Sequence, residues 1–383
     1  MPLRVLHVDT ERGWRGGERQ ALWLALELGR RGHTSVIAAR VGEPLADRAS
    51  AAGLPVADCR PVSELDPLAA WRLRRLIRMW QIDVVHAHTA HAVAVAGIAT
   101  ARTPIPLVVS RRVDFPLRDN AGTRWKYGRA SVIIAISGAV AAVLEQSGIS
   151  AERIRVVPDG VDIHRTVTPA SREVLASLGV PASVPVVVQV AQLVGHKDPI
   201  NFVRAIHRVR ERLPEVHGLI VGDGPLRDNV KREVHALGLD ATVHVAGYRT
   251  DADALLAAAD VACLSSREEG MGSVLLDALS FGLPIAATRA GGIPEVIVDG
   301  ECGVLADPRN PGALGDAIVR LLTDAELNAR VRANGRARAA EFSVERMTDR
   351  TMSVYESVAS GNEGRLRTDA SSTSSSSSVT RAP

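Results

Sequence analysis

The sequence has little aromatic content, 3% of 383 residues, and only three cysteines, Cys59, Cys263 and Cys302. Three is an odd number without metal or redox spacing, so they read as reduced thiols of a cytoplasmic protein. A net charge of only +3 and no basic patch with interleaved aromatics argue against nucleic-acid reading. The longest apolar runs, such as "AVAVAGIAT", fall far short of the roughly 18 residues of a membrane span. The N-terminal "MPLRVLHVDT" enters a strand pattern at once, without the charged and apolar regions of a secretory signal. The G-x-G-x-x-G fingerprint is also missing after the first strand, which disfavours a nicotinamide cofactor.

What is present is a soluble globular composition, 46% hydrophobic and 23% charged, in a chain longer than one typical domain. Short Val/Ile-rich runs alternate with helical patterns, which predicts βαβ units and parallel sheets, an α/β fold. The expected strands are "LRVLHV", "SVIAA", "DVVHA", "PLVVS" and "SVIIAI", then "PVVVQVA", "HGLIVG", "TVHVAG", "ADVACL" and "PIAAT". Both halves open as strand, Gly-bearing loop and amphipathic helix. The prolines of "TVTPASREVLASLGVPASVP" mark a linker. The spacing therefore predicts a domain over 1–165 and a second over 166–342. A helix over 343–360 should pack back on the first domain, and the Ser-rich 361–383 should be disordered.

In open α/β sheets ligands sit at the carboxyl ends of the strands, where helix N-termini favour anions. Gly16 and Gly17 in "TERGWRGGERQ" would let backbone approach a ligand, or make a plain tight turn. "VGDGPLRD", with Gly222, and "RAGGIPEV", with Gly291 and Gly292, are similar and individually weak. Lys197 in "AQLVGHKDP" is a solvated lysine or a neutraliser of diphosphate. The strongest stretch is "SSREEGMGSVLLDALSFGLPIAA". There Gly270, Gly272 and Ser273 expose amides at a helix start, with Glu269 before it and Asp277 inside it. Glu269 could accept sugar hydroxyls and Asp277 a ribose diol. The plainer alternative is that acids complement the helix dipole.

Taken in order, "WRGGERQALWLALELGRRGH", "DVVHAHTA", "IIAISGAV", "IRVVPDGVD", "LIVGDGPLRD", "LAAADVACLSSREEGMGSVLLDALSFGLPIAATRAGGIPEVI" and "GVLADP" resemble the retaining glycosyltransferases of family 4. The resemblance covers residues 3 to 345. It implies the GT-B fold, two facing Rossmann-like domains with a cleft between them. It also implies transfer of a sugar from a UDP- or GDP-linked donor to a glycan or lipid-linked acceptor, with retention. By position, Gly16, Gly17 and Gly222 would line the donor, and Lys197 would meet its diphosphate. Glu269 would face the transferred sugar and Asp277 the ribose. The amides of Met271, Gly272 and Ser273 would meet sugar and phosphate. His88, preferred over His86, would face the sugar.

Three positions depart from the family pattern. Ala191-Gln192-Leu193 stands where Gly-Arg-Leu is usual, so a guanidinium that binds diphosphate is missing and Gln192 takes its place. Arg111, Arg112 or Arg267 are candidate substitutes. Asp277 replaces glutamate, shortening reach by ~1.5 Å, and Asp159 replaces asparagine. Chemistry of this type needs positioning and stabilisation of negative charge rather than a nucleophile. No cofactor and no protein-bound metal are expected, and Asp251-x-Asp253 reads as a helix cap. Rival readings are a nucleotide-sugar binder without turnover and a sugar-nucleotide epimerase. In "WRLRRLIRMWQ", Leu73, Leu76, Ile77 and Trp80 form one stripe, with Arg74, Arg75 and Arg78 elsewhere on the wheel. That pattern fits a packed Rossmann helix or a peripheral contact with the inner face of a membrane.

Overall fold

The computed structural model describes residues 2–181 and 183–373. The first lobe is a seven-stranded sheet made of β1 (Arg4–Val8), β2 (Thr34–Ala39), β3 (Val56–Asp58), β4 (Val84–Ala87), β5 (Leu107–Arg111), β6 (Val132–Ala135) and β7 (Ile154–Val156). The second has six strands: β8 (Val186–Val190), β9 (His217–Val221), β10 (Val243–Gly247), β11 (Val261–Leu264), β12 (Ile285–Thr288) and β13 (Val304–Ala306). Their orders are β3-β2-β1-β4-β5-β6-β7 and β10-β9-β8-β11-β12-β13. Every pairing is parallel. Strands such as "VVVQV" are apolar almost throughout because helices cover both faces of a parallel sheet. The three strands that the sequence did not reveal, β3, β7 and β13, have three residues each, too few to show a period.

Strand order reverses between β1 and β4, and again between β8 and β11. The helices that follow those central strands therefore diverge to opposite faces and leave a crevice at the carboxyl edge. One helix, Gly16–Arg30, follows β1, and another, Ser273–Phe281, follows β11. A buried apolar cluster runs from Leu6 and Val85 of the first lobe to Val188, Leu264 and Leu275 of the second. The cysteines are free and buried in these cores.

The chain crosses between the lobes twice, and the crossings bind each other. Val161 N donates to Phe342 O at 2.7 Å, and Val344 N to Val161 O at 3.1 Å. Gly160 exchanges two hydrogen bonds with the Gln20 amide, 2.7 and 2.8 Å. A methyl at Gly160 would lie 2.9 Å from Val344 Cα, so only glycine lets the strands approach this closely. Beyond this point the helix Val344–Thr373 lies on the helix Gly16–Arg30 of the first lobe. It is longer than the expected 343–360, and no proline interrupts it. The remainder of the Ser-rich tail, 374–383, lies outside the described residues.

Val344, Met347, Met352 and Tyr355 close a core with Val5, Leu24, Leu28, Val84 and Val108. Tyr355 is fully buried, and its hydroxyl lies 2.6 Å from His86 Nδ1. Tyr355→Ala removes both the packed ring and that bond. It should cost about 3–5 kcal/mol in urea unfolding and expose the 342–344 crossing to limited proteolysis. A midpoint equal to wild type would show that the helix is not docked through this ring.

Candidate active site

The loop after β11 is shaped by glycine contacts with the opposite lobe. Gly272 starts the helix Ser273–Phe281 at φ +79°, a left-handed conformation that favours glycine. A methyl at Gly270 would sit 2.4 Å from Arg112 O, and Ser137 Oγ donates to Gly270 O at 2.6 Å. Across the cleft, a methyl at Gly16 would lie 2.6 Å from Ser273 Oγ. The glycine turn after β1 thus faces the helix start after β11 directly. Glu295 adds a second tie: its carboxylate accepts from Gly138 N at 2.8 Å and Ala139 N at 2.9 Å, at the start of the helix Gly138–Gln146.

Both predicted acids lie in this cleft, and each already has a cation. Lys197 Nζ donates to Glu269 Oε2, which also accepts from Ser266 Oγ at 3.0 Å. Asp277 is buried between two arginines. Arg19 Nη2 meets its Oδ2 at 2.5 Å, and Arg165 Nη2 meets its Oδ1 at 3.0 Å. Arg165 also binds Asp253 at 2.6 Å. Burial pushes the Asp277 carboxyl upward, and the two guanidinium charges oppose that shift. Both oxygens of Asp277 are thus engaged by guanidinium groups.

The first-lobe wall is different. His7, His86 and His88 stand at the ends of β1 and β4, all buried. His7 Nδ1 lies 3.1 Å from His88 Nε2, and His86 Nε2 lies 2.8 Å from Ser110 Oγ. The His86 and His88 rings are 4.0 Å apart between centroids. Burial lowers His7 to about 3 and takes His86 and His88 well below the ordinary imidazole range, so all three are neutral at pH 7. Ligand-type nitrogens of the three approach within 4.8 Å of one another. However, both nitrogens of His86 are engaged, and His7 is bonded to His88. Arg112, which donates to His88 O at 3.4 Å, adds a positive charge. The three rings form a hydrogen-bonded stack in which His7 Nε2 and His88 Nδ1 have no partner among the described residues. Asp9, just beyond β1, is buried with Oδ2 unpartnered, and burial raises its pKa to about 7.

Other predicted positions fall as follows. Gly17 lies close to Arg112. Met271 packs into the core, so only its backbone reaches the helix start. Gln192 is exposed. Gly222 has φ +147°, and a methyl there would lie 1.9 Å from Ala191 O, so packing of the loop after β8 already demands glycine. The cap reading of Asp251-x-Asp253 needs correction. Asp251 occupies the N-cap position, but its carboxylate binds Arg249 at 2.7 Å and makes no cap bond. Asp253 turns to Arg165 instead. Of the candidate substitute arginines, Arg267 binds Gly195 O, Arg111 binds Phe115 O, and Arg112 binds Asp159. Arg19, Arg165, His7 and Asp9 were missed. The apolar periodicity of the first helix could have exposed Arg19, since a charged residue stands in its first turn beside the Gly16-Gly17 loop.

Two Rossmann-like lobes whose carboxyl-edge loops meet across a cleft define the GT-B architecture. Residues 171–338 match the family Glycosyl transferases group 1, and 14–165 match Glycosyltransferase Family 4. The lipopolysaccharide core biosynthesis glycosyltransferase LpsE of Rhizobium meliloti is 31% identical over 243 residues, 63% of this chain and 67% of its own. A D-inositol 3-phosphate glycosyltransferase of Corynebacterium urealyticum is 30% identical over 76% of this chain and 68% of its own. Anabaena HepE, solved with UDP and glucose, shares the fold with a TM-score of 0.81 at 24% identity, covering 93% of this chain and all of HepE. The chain belongs to the group 1 glycosyltransferases.

The histidine stack gives a pH prediction. Unfolding returns each imidazole to its ordinary value near 6.5, so below it the unfolded chain binds protons that the folded chain refuses. The stability that His7 contributes is therefore present above pH 6.5 and falls toward pH 3, by up to ~1.4 kcal/mol per pH unit. In His7→Asn the drop in urea midpoint between pH 7 and pH 5 should shrink. An unchanged drop would show that His7 is protonated in the native state.

Proposed function

We propose that this glycosyltransferase moves a sugar from a nucleoside-diphosphate sugar to a glycan or lipid-linked acceptor hydroxyl, with retention of anomeric configuration. The observation that carries this reading is the Lys197–Glu269 pair at the start of the helix Ser273–Phe281, directly opposite Gly16. A donor diphosphate placed there would meet Lys197 and the amides of Gly272 and Ser273. Drawing the ammonium onto phosphate would leave Glu269 to accept sugar hydroxyls. The neutral His88 would face the sugar without opposing an oxocarbenium-like centre. The departing phosphate would then take the acceptor's proton on the same face of the sugar. HepE, whose structure holds UDP and glucose, and LpsE, which acts in lipopolysaccharide core biosynthesis, support a UDP-linked donor and a cell-envelope acceptor.

The face that holds Trp71 supports a membrane-proximal acceptor. Leu73 and Ile77 pack inward as a Rossmann helix requires, and Arg74 is tied to Ala99 O. Outside, Val62, Leu65, Leu68, Trp71 and Met79 are exposed beside Arg72, Arg75 and Arg78. Trp71, Met79, Arg72 and Arg75 line a groove of about 360 Å³. Apolar side chains flanked by cations suit the headgroup region of an anionic bilayer.

A thermal-shift screen of UDP-, GDP- and ADP-sugars should find one that raises the melting point. Lys197→Ala should then lower kcat by roughly 10²–10³-fold, Glu269→Gln should abolish transfer with the fold kept, and EDTA should leave the rate unchanged. Donor binding without transfer or hydrolysis would favour the non-catalytic rival, and donor rearrangement without acceptor the epimerase. Vesicles containing phosphatidylglycerol should sediment the protein at low salt and release it at high salt; equal binding to neutral vesicles would end the membrane reading.

A further inference from the structure

The loop that usually brings an arginine to the donor carries Gln192 here, exposed and uncharged. The guanidiniums of Arg111, Arg112 and Arg267 all bind backbone or Asp159. Arg19 differs from these. It lies one turn beyond Gly16, on the helix whose start faces Ser273, and its guanidinium is buried against Asp277 with Nε unpartnered.

We propose that Arg19 is the donor-phosphate arginine of this enzyme, and that Asp277 holds it until a donor ribose takes the carboxylate. This rests on the donor reading above. Three features make the exchange workable. Asp277 keeps Arg165 on its other oxygen, so the carboxylate stays compensated when Arg19 leaves. An aspartate also sits back by ~1.5 Å relative to glutamate, which leaves room for a guanidinium in the cleft. The planar cation rests 4.7 Å from the centre of the Trp23 ring, a seat that suits arginine better than lysine. One displacement then delivers a carboxylate to the diol and a guanidinium to the diphosphate together. Displacement by a ribose without a phosphate is unfavourable, because it would strand the buried Arg19 charge.

This coupling gives the test an unusual sign. The probes are UDP and uridine, or GDP and guanosine, whichever pair the thermal screen selects, with affinities measured by calorimetry. Arg19→Gln should weaken diphosphate binding by roughly 10- to 100-fold. It should strengthen nucleoside binding, because a nucleoside must displace Arg19 without offering it a phosphate. Arg19→Lys should fall between the two for the diphosphate. The double variant Arg19→Gln/Asp277→Asn removes opposite charges together and guards against a fold lost to an unpaired aspartate; in it the nucleoside gain should disappear. Equal weakening of nucleoside and diphosphate would overturn the proposal, as would unchanged diphosphate affinity in Arg19→Gln. If no nucleotide binds the wild-type chain, the donor reading falls first and this assignment with it.

Discussion

The arrangement of the two lobes turns on a buried carboxylate. Asp277 lies inside the second lobe with almost no solvent, and an ion there is tolerable only if charge and hydrogen bonds surround it. The second lobe supplies no cation of its own among the described contacts. Arg19 comes from the first lobe and Arg165 from the crossing between them. The desolvation cost of one side chain therefore fixes how the first helix, the crossing and the helix Ser273–Phe281 lie together. Asp253 balances the second guanidinium charge and leaves the four-residue cluster neutral.

Around that cluster, glycine sets how closely the lobes meet. Gly16 against Ser273, Gly270 against Arg112 O and Gly291 against Asp114 Oδ2 are positions where a methyl group would collide. A backbone bare enough to touch a phosphate is also bare enough to touch the facing backbone. The same residues that would let the proposed donor approach thus also let the facing loops meet. A donor in the proposed cleft would displace cation–anion contacts at Glu269 and Asp277.

What the sequence made legible followed from short-range rules. Strand-loop-helix units, the central strands of both sheets and the acids around Gly270 to Ser273 are encoded within about ten consecutive residues. The pairing of Arg19 with Asp277 spans 258 positions, and that of Tyr355 with His86 spans 269. Neither leaves a local pattern. Asp253 was misread for the same reason, since an acid at a helix start satisfies the capping rule whether or not its carboxylate turns away to a distant arginine. Of the stripe Leu73, Leu76, Ile77 and Trp80, which fits either a packed helix or a membrane contact, Leu73 and Ile77 are buried, while Leu68, Trp71 and Met79 of the same helix are exposed. Gly222 shows the opposite limit: sequence marks it as a ligand-loop glycine, while the adjacent Ala191 carbonyl is sufficient reason for it.

The two walls of the cleft finally divide the electrostatics. On the second-lobe side stand Lys197, Glu269 and Asp277, each partnered, Asp277 by arginines that come from the first lobe and the crossing. On the first-lobe side stand three neutral imidazoles and Asp9, which burial brings to about 7. For the proposed transfer this asymmetry is useful. Negative charge grows on the leaving diphosphate, next to cations, while the sugar gains positive character against a wall that carries no cationic imidazole. Protonating His88 would place a charge beside the oxocarbenium-like centre and oppose the reaction, and burial withholds that proton throughout the physiological range. The His86 ring lies 4.0 Å from that of His88 and its Nδ1 lies 2.6 Å from the Tyr355 hydroxyl, so the C-terminal helix packs against the histidine wall through one tyrosine.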